Sequence, residues 1–147
     1  MNIKKQEFKF EVFTKTEKQI DLLFNLLKNR AHFISFQSIS YEEHRKFASQ
    51  HPYRAWYLVE YNKNYLGSFY ITKENTIGIN VDEEITQIVI SEIIKFINDN
   101  YAPLPAIKSI RANRFSVNVP PSNSILAQTL EEIGATVAQV SYYLPKD

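Results

Sequence analysis

The sequence predicts one mixed α/β domain over residues 1–147, with a mixed, mostly antiparallel sheet flanked by helices on both faces. Three observations carry that prediction. Residues 75–98 read as a short apolar strand that runs through an acidic turn into the most strongly patterned helix of the chain. Residues 54–75 alternate aromatic and branched side chains between polar turns. The elements follow in the order strand, helix, helix, three strands, helix, strand, helix, strand. Strands before and after the long helix must pair in parallel if they are neighbours, because a crossover helix separates them.

Taken in order, Phe8, Phe10 and Val12 alternate with Lys9 and Glu11, the period-two pattern of a half-buried strand. Thr14 or Thr16 can cap the segment EKQIDLLFNLLKNR, which places Ile20, Leu23, Phe24 and Leu27 on one helical face and Lys28 and Arg30 at its end. Residues 31–39 show no clean period and stay unassigned. Ser40, with Glu43 three residues on, forms a capping box for YEEHRKFASQ, and Pro52 stops that helix. RAWYLVEY and YLGSFYIT form a hairpin around Asn62-Lys63-Asn64, and residues 72–75 make a second polar turn.

In the long helix, Ile85, Ile88, Val89, Ile93, Ile94 and Ile97 form a broad apolar face opposite Gln87, Ser91, Lys95 and Asn98. Asp82, Glu83 and Glu84 stand at its first turn, where free N–H groups and the dipole attract either capping carboxylates or a bound anion. The two uses compete for one place. Three acids, with no glycine between Gly78 and the helix, favour capping. Tyr101, Pro103 and Pro105 end the helix; residues 106–117 follow as a strand, then a loop through Pro120-Pro121. SNSILAQTLEEIG is a helix with Ile125, Leu126, Thr129, Leu130 and Ile133 inward and Gly134 as its C-terminal cap, and residues 135–144 form the last strand.

Composition narrows the function classes. Seventeen Lys and Arg against sixteen Asp and Glu give a net charge of +1, so there is no basic field for nucleic acid. The chain has no cysteine, which excludes disulfides, thiolate chemistry and cysteine-held metal, and no metal site is expected. MNIKKQEFKF lacks the apolar run of a secretion signal and no segment approaches a membrane span, so the expectation is a cytoplasmic protein with no membrane partner. The aromatic-rich last strand could pair with a copy of itself in a homodimer.

This element order resembles the GNAT acyltransferase superfamily, over nearly the whole chain from about Phe8 to Leu144. SYEEHRKF followed by RAWYLVEYNKNYLGSFYI is similar to the second helix and hairpin of the branch that acetylates amino sugars and protein N-termini. Asn123, eleven residues before Gly134 in NSILAQTLEEIGA, looks like that branch's Asn…Leu-Glu-Lys-Leu-Gly-Phe segment. The apolar strand ending at Val81 stands in the place of the acyl-CoA strand. The resemblance implies a sheet of six to seven strands, acetyl-CoA as co-substrate and a small amine acceptor, such as a nucleotide-linked amino sugar.

Departures are visible too. The family's Gln/Arg-x-x-Gly-x-Gly/Ala turn, whose bare N–H groups hold the CoA diphosphate, reads DEEITQ here. Its leaving-group tyrosine is Leu130, and its usual Phe is Ala135. A GNAT-like binding or dimerisation module without CoA is the alternative, and an acyltransferase using a carrier-protein thioester is a third reading.

On the resemblance, the pantetheine arm adds to the backbone of Ile79 and Val81, Thr86 and Gln87 stand in the cofactor turn, and either Asn118 or Asn123 is the family's asparagine. The proton from the attacking amine needs a base. Glu60, His44 and His51 are the candidates, against the plainer readings of an edge charge and surface or packing histidines. Tyr142 and Tyr143 alternate faces on the last strand, so one of them faces the substrate or packs in the core. Asn80 hydrogen-bonds substrate or sits on a solvated face.

Overall fold

In the computed structural model, which describes residues 8–28 and 40–146, the chain runs β1 (Phe8–Val12), α1 (Glu17–Lys28), α2 (Tyr41–Gln50), β2 (Ala55–Tyr61), β3 (Asn64–Ile71), β4 (Thr76–Val81), α3 (Glu83–Asn100), β5 (Ser116–Asn118) and α4 (Ser124–Glu132). Among the described residues the strands make one sheet in the order β1-β2-β3-β4-β5, antiparallel except for the β4–β5 pair. The mixed sheet is therefore as the sequence order requires.

Caps fall where the sequence put them. Thr16 Oγ1 accepts from the Gln19 N–H at 3.2 Å, and Ser40 Oγ from the Glu43 N–H at 3.2 Å. Gly134, at φ +98°, follows the last turn of α4; its N–H goes to the Glu131 carbonyl and that of Ala135 to the Leu130 carbonyl, the paired closure that a left-handed residue permits.

Side chains divide between the two faces by the period of two. Tyr57, Val59, Phe69, Ile71, Ile77 and Ile79 join α3 and α4 in the larger core. Trp56 and Leu58 join Phe13, Ile20, Leu23 and Ala48 beneath α1 and α2. On α3 the buried row is Ile85, Thr86, Val89, Ile90, Ile93 and Ile97, so the face is rotated from the expected one: Ile88 is exposed and Ile90 is fully buried. Thr86 turns inward because its hydroxyl donates back to the Asp82 carbonyl at 3.0 Å, which removes the cost of burying it.

The sheet is smaller than the six to seven strands expected. Where a strand was expected over residues 106–117, the chain makes only the short β5, Ser116–Asn118, and an isolated Ile107–Arg111 bridge. The reason is a polar clamp. Asn75, 1 % exposed and at φ 66°, donates from Nδ2 to the Leu104 and Ala112 carbonyls (2.9 and 2.8 Å) and accepts the Leu104 N–H at 2.8 Å. Arg111 donates to the Pro105 and Lys73 carbonyls. Held at both ends against the 72–75 turn, this stretch makes a compact loop instead of a ladder. The expected strand at residues 135–144 pairs with no strand among the described residues. The unassigned link at residues 31–39 lies outside the described residues.

Candidate active site

Two features meet around the C-terminal half of β4. The first is a strand edge. The ladder to β5 ends at Gly78↔Asn118, while β4 continues to Val81. The Asn75 carbonyl accepts from Ser116 N–H, on the β5 side, at 3.0 Å, and the Asp82 N–H donates to Leu66 on β3 at 2.9 Å. Backbone groups of a strand alternate sides residue by residue, so Ile79 and Val81 direct their N–H and C=O toward the side on which β5 has ended. Their side chains pack in the core beneath α3. Asn118 is exposed at the end of β5, opposite Gly78.

The second feature is a cavity of about 450 Å³ on the α1/α2 face, bounded by Leu23, Leu26 and Leu27 of α1, Glu43, His44 and Phe47 of α2, and Tyr53, Trp56, Ser68, Tyr70 and Asn80. Its floor follows from register. Ser68 lies opposite Asn80 and Tyr70 opposite Gly78, so all four belong to one face. Gly78 is required there: a Cβ would sit 2.1 Å from the Tyr70 ring, which lies across the glycine and stacks on Tyr53 at 3.9 Å between centroids. The rings of Tyr53, Trp56 and Tyr70 wall this space. Trp56 Nε1, in the same wall, is the one buried side-chain polar atom among the described residues with no hydrogen-bond partner.

His44 is not the surface residue its helix position suggested. It is 6 % exposed, because α2 packs this face against α1 and the ring lies 5.5 Å from that of Phe24. Its Nε2 lies 3.0 Å from the Ile20 carbonyl oxygen. A carbonyl only accepts, so Nε2 carries the proton and Nδ1 holds the lone pair of the neutral ring. Burial lowers the pKa of His44 below the ordinary value, against a smaller opposing effect of that hydrogen bond. α2 is tied to α1 by Arg45 with Glu17 and by the Tyr41 hydroxyl donating to Asp21 at 2.6 Å.

Of the remaining candidates, Glu60 lies on β2, two strands from β4, at the register shift opposite Tyr65; it shares the face of Trp56 but is outside the cavity wall. His51 accepts the Tyr53 N–H on Nδ1 at 3.2 Å and packs against Trp56; burial, then the Lys15 charge, lower its pKa. Tyr142 and Tyr143 are 84 % and 83 % exposed on the segment after α4 and touch neither feature. Asn123 caps α4, its Oδ1 accepting the Leu126 N–H at 3.2 Å. Gln87 is exposed on the first turns of α3. Asp82 caps α3 by accepting the Glu84 N–H at 2.9 Å, and all three acids of the turn are exposed. Sequence reasoning missed the rings of Tyr53, Trp56 and Tyr70; the single glycine in a β4 otherwise built of branched and polar residues was the available signal, since it marks a close approach. Among the described residues no cluster of His, Asp and Glu is arranged to hold a metal ion, and no helix is long and apolar enough to cross a membrane.

No protein-family model matches the chain, and no curated protein matches it. Solved structures do. An aminoglycoside N-acetyltransferase in complex with CoA superposes with a TM-score of 0.63 over 99 % of both chains at 9 % identity. An aminoglycoside acetyltransferase from an uncultured soil metagenomic sample, in complex with sisomicin, gives 0.62 over 95 % of this chain and 97 % of the other at 14 % identity. The N-acetyltransferase PseH of Campylobacter jejuni, in complex with acetyl coenzyme A, gives 0.58 over 92 % of each chain at 20 % identity. At these identities the likeness is one of fold, and the fold is that of the GNAT N-acetyltransferases.

Proposed function

We propose that this chain is an acetyl-CoA-dependent N-acetyltransferase acting on a small amine. The observation that carries the reading is the backbone of Ile79 and Val81, directed to the side of β4 where β5 has ended. A pantetheine arm presents amides at strand-like spacing, and an unladdered strand edge is what such a chain adds to. Acetyl-CoA would supply the activated acetyl group there. Asn118 borders the same opening, and Thr86 and Gln87 stand in the first turns of α3 beside it; Asn123 serves by fixing the start of α4. Fold neighbours solved with CoA or acetyl coenzyme A support the same assignment.

The diphosphate end fits less well. Asp82 already takes the Glu84 N–H, and the exposed carboxylates of Asp82, Glu83 and Glu84 repel an anion brought to the turn. Binding is therefore expected to be weak, and to rest on the strand edge more than on the helix terminus.

The acceptor enters the ring-walled cavity, whose size suits a sugar-sized or smaller molecule. An amine arrives protonated, and Glu43 and the ring faces in the wall attract its charge. His44 takes the proton. Its lowered pKa keeps the ring neutral at pH 7, and the Ile20 carbonyl holds the tautomer whose Nδ1 is the base. The reading gives no step to Glu60 or Tyr142. A nucleotide-linked amino sugar is one acceptor of the right class.

Titration calorimetry with acetyl-CoA tests the reading. Heat with a Kd between micromolar and a few hundred micromolar is expected, about −8 to −5 kcal/mol. Silence up to millimolar concentration leaves a binding module and removes the enzyme. Replacing Asp82, Glu83 and Glu84 together by Ser should tighten binding by about tenfold, each carboxylate at a helix start being worth a few tenths of a kcal/mol or more. Amine-dependent release of free thiol then finds the acceptor, with no background from a chain that has no cysteine.

A further inference from the structure

The lining of the ring-walled cavity says more about its ligand than its size does. Among the described residues one acid, Glu43, and no lysine or arginine stand in the wall. A single ammonium therefore finds a counter-charge there, a second finds none, and a phosphate or carboxylate meets only repulsion. The rest of the wall is largely the leucines of α1 and the rings of Phe47, Tyr53, Trp56 and Tyr70.

Those rings hold one another in place. Tyr53 and Tyr70 lie parallel, 3.9 Å between centroids and 1° between planes, and Trp56 stands edge-on to Tyr53 at 5.1 Å. Phe47 meets Tyr53 at 5.6 Å and 73°. A ligand packed among them has little side-chain freedom left to freeze. Such a wall favours an aromatic or apolar body, for which ring contacts come in addition to burial, and a cation over a ring face. It offers little to a polyhydroxylated one. Each hydroxyl that enters without a partner gives up its water for nothing, at a cost of about tenfold in affinity.

The polar groups available to such hydroxyls are few. Nε2 of His44 is taken by the Ile20 carbonyl, which leaves Nδ1 for the ammonium proton. Ser68, 6 % exposed and paired opposite Asn80, lines the floor, and its hydroxyl has no hydrogen-bond partner among the described residues. A hydroxyl both donates and accepts, so it suits one hydrogen-bonding group of either sense.

We propose that the ligand of this cavity, and so the acceptor, is a monoamine carried on an aromatic or otherwise apolar body with at most one further hydrogen-bonding group. Only the word acceptor rests on the function proposed above; the class of ligand rests on the wall. Amino sugars also carry an amine of suitable size, and this lining ranks them second.

Trp56 is the one tryptophan of the chain, so its emission reports occupancy with no acetyl-CoA present. Titrations with phenethylamine, glucosamine, phenylalanine and phenethyl alcohol separate the body, the carboxylate and the charge. Phenethylamine should shift the emission with a Kd about tenfold or more below that of glucosamine, and about threefold to fivefold below those of phenylalanine and phenethyl alcohol. Glucosamine binding as tightly as phenethylamine, or no change with phenethylamine up to about 10 mM, overturns the proposal. Glu43→Gln, at an exposed position of α2, should weaken phenethylamine about threefold to fivefold and leave phenethyl alcohol as it was. An equal loss for both, or no loss for the amine, removes the single counter-charge and with it the proposed class. Since no donor is added, silence of acetyl-CoA in calorimetry would end the enzyme and leave this class of ligand standing, while failure of phenethylamine would leave acetyl-CoA binding untouched.

Discussion

The two faces of the sheet solve the same problem differently. Beneath α3 and α4, Phe69, Ile71, Ile77, Val89, Ile90, Ile93 and Ile97 are 2 % exposed or less, and among the described residues no buried polar side-chain atom of that core lacks a partner. Beneath α1 and α2 stand stacked rings, a cavity of about 450 Å³, a buried histidine and an unpartnered indole N–H. β-Branched chains from an 18-residue helix interdigitate with a pleated surface until no space is left. The two shorter helices leave the cavity between themselves and the sheet. Close packing is concentrated on one face and open space on the other.

The largest test of that contrast pairs two phenylalanines. Phe69→Ala, at 0 % exposure in the sealed face, should cost about 3–5 kcal/mol in urea unfolding, transfer and cavity costs together. Phe47→Ala, 44 % exposed at the cavity, should cost under about 1 kcal/mol while weakening any ligand of that cavity. Equal losses would mean that both faces carry the fold.

Local signals explain why some of this was legible. An N-terminal cap needs one side chain and one N–H three residues away, and a C-terminal cap one glycine, so Ser40, Thr16 and Gly134 could be read directly. One-sided burial leaves a period, so α3 and the three antiparallel strands β2, β3 and β4 could be read as well, with an error of rotation at Ile88 and Ile90 because both faces of α3 are rich in isoleucine. Pairing leaves no such mark. Residues 135–144 have a strand's pattern without a strand's neighbour among the described residues, and pattern reports which side seeks burial, never against what. Whether His44 packs or faces solvent was not legible for a related reason: its burial is set by α1, twenty-four residues away in sequence. Nor does a polar turn announce a clamp, and Asn75 read as loop although its side chain decides the course of the chain from Leu104 to Ala112. Ile79 and Val81 were singled out by family resemblance; only two backbone hydrogen bonds in the structure show to which side their N–H and C=O groups point.

Asn75 gives the next effect in size. Asn75→Ala loses three hydrogen bonds in a buried site and puts a Cβ without a compensating polar group at positive φ, for about 2–4 kcal/mol by urea. Asn75→Gly keeps the backbone conformation accessible and should recover about 1 kcal/mol of that. If the two variants are equally stable, the left-handed conformation contributes nothing and the clamp is polar alone.

The smallest effect belongs to the open face and is read in the pH dependence. His44 and His51 have folded pKa values lowered by burial, so as pH falls below the ordinary histidine value of about 6.5 the unfolded chain binds protons that the folded chain does not. Their contribution to stability is complete above that pH, declines as pH drops toward the folded values, and levels off below them. His44→Gln, whose amide can still donate to the Ile20 carbonyl, should flatten the decline, with His51 left as the source of what remains. Ile90→Val, a loss of one methylene in a face that among the described residues contains no histidine, should lower stability by about 0.5–1.5 kcal/mol at every pH and leave the slope as it was. A slope unchanged in His44→Gln would mean that the ring is solvated in solution, and with it the cavity wall that the proposed base requires.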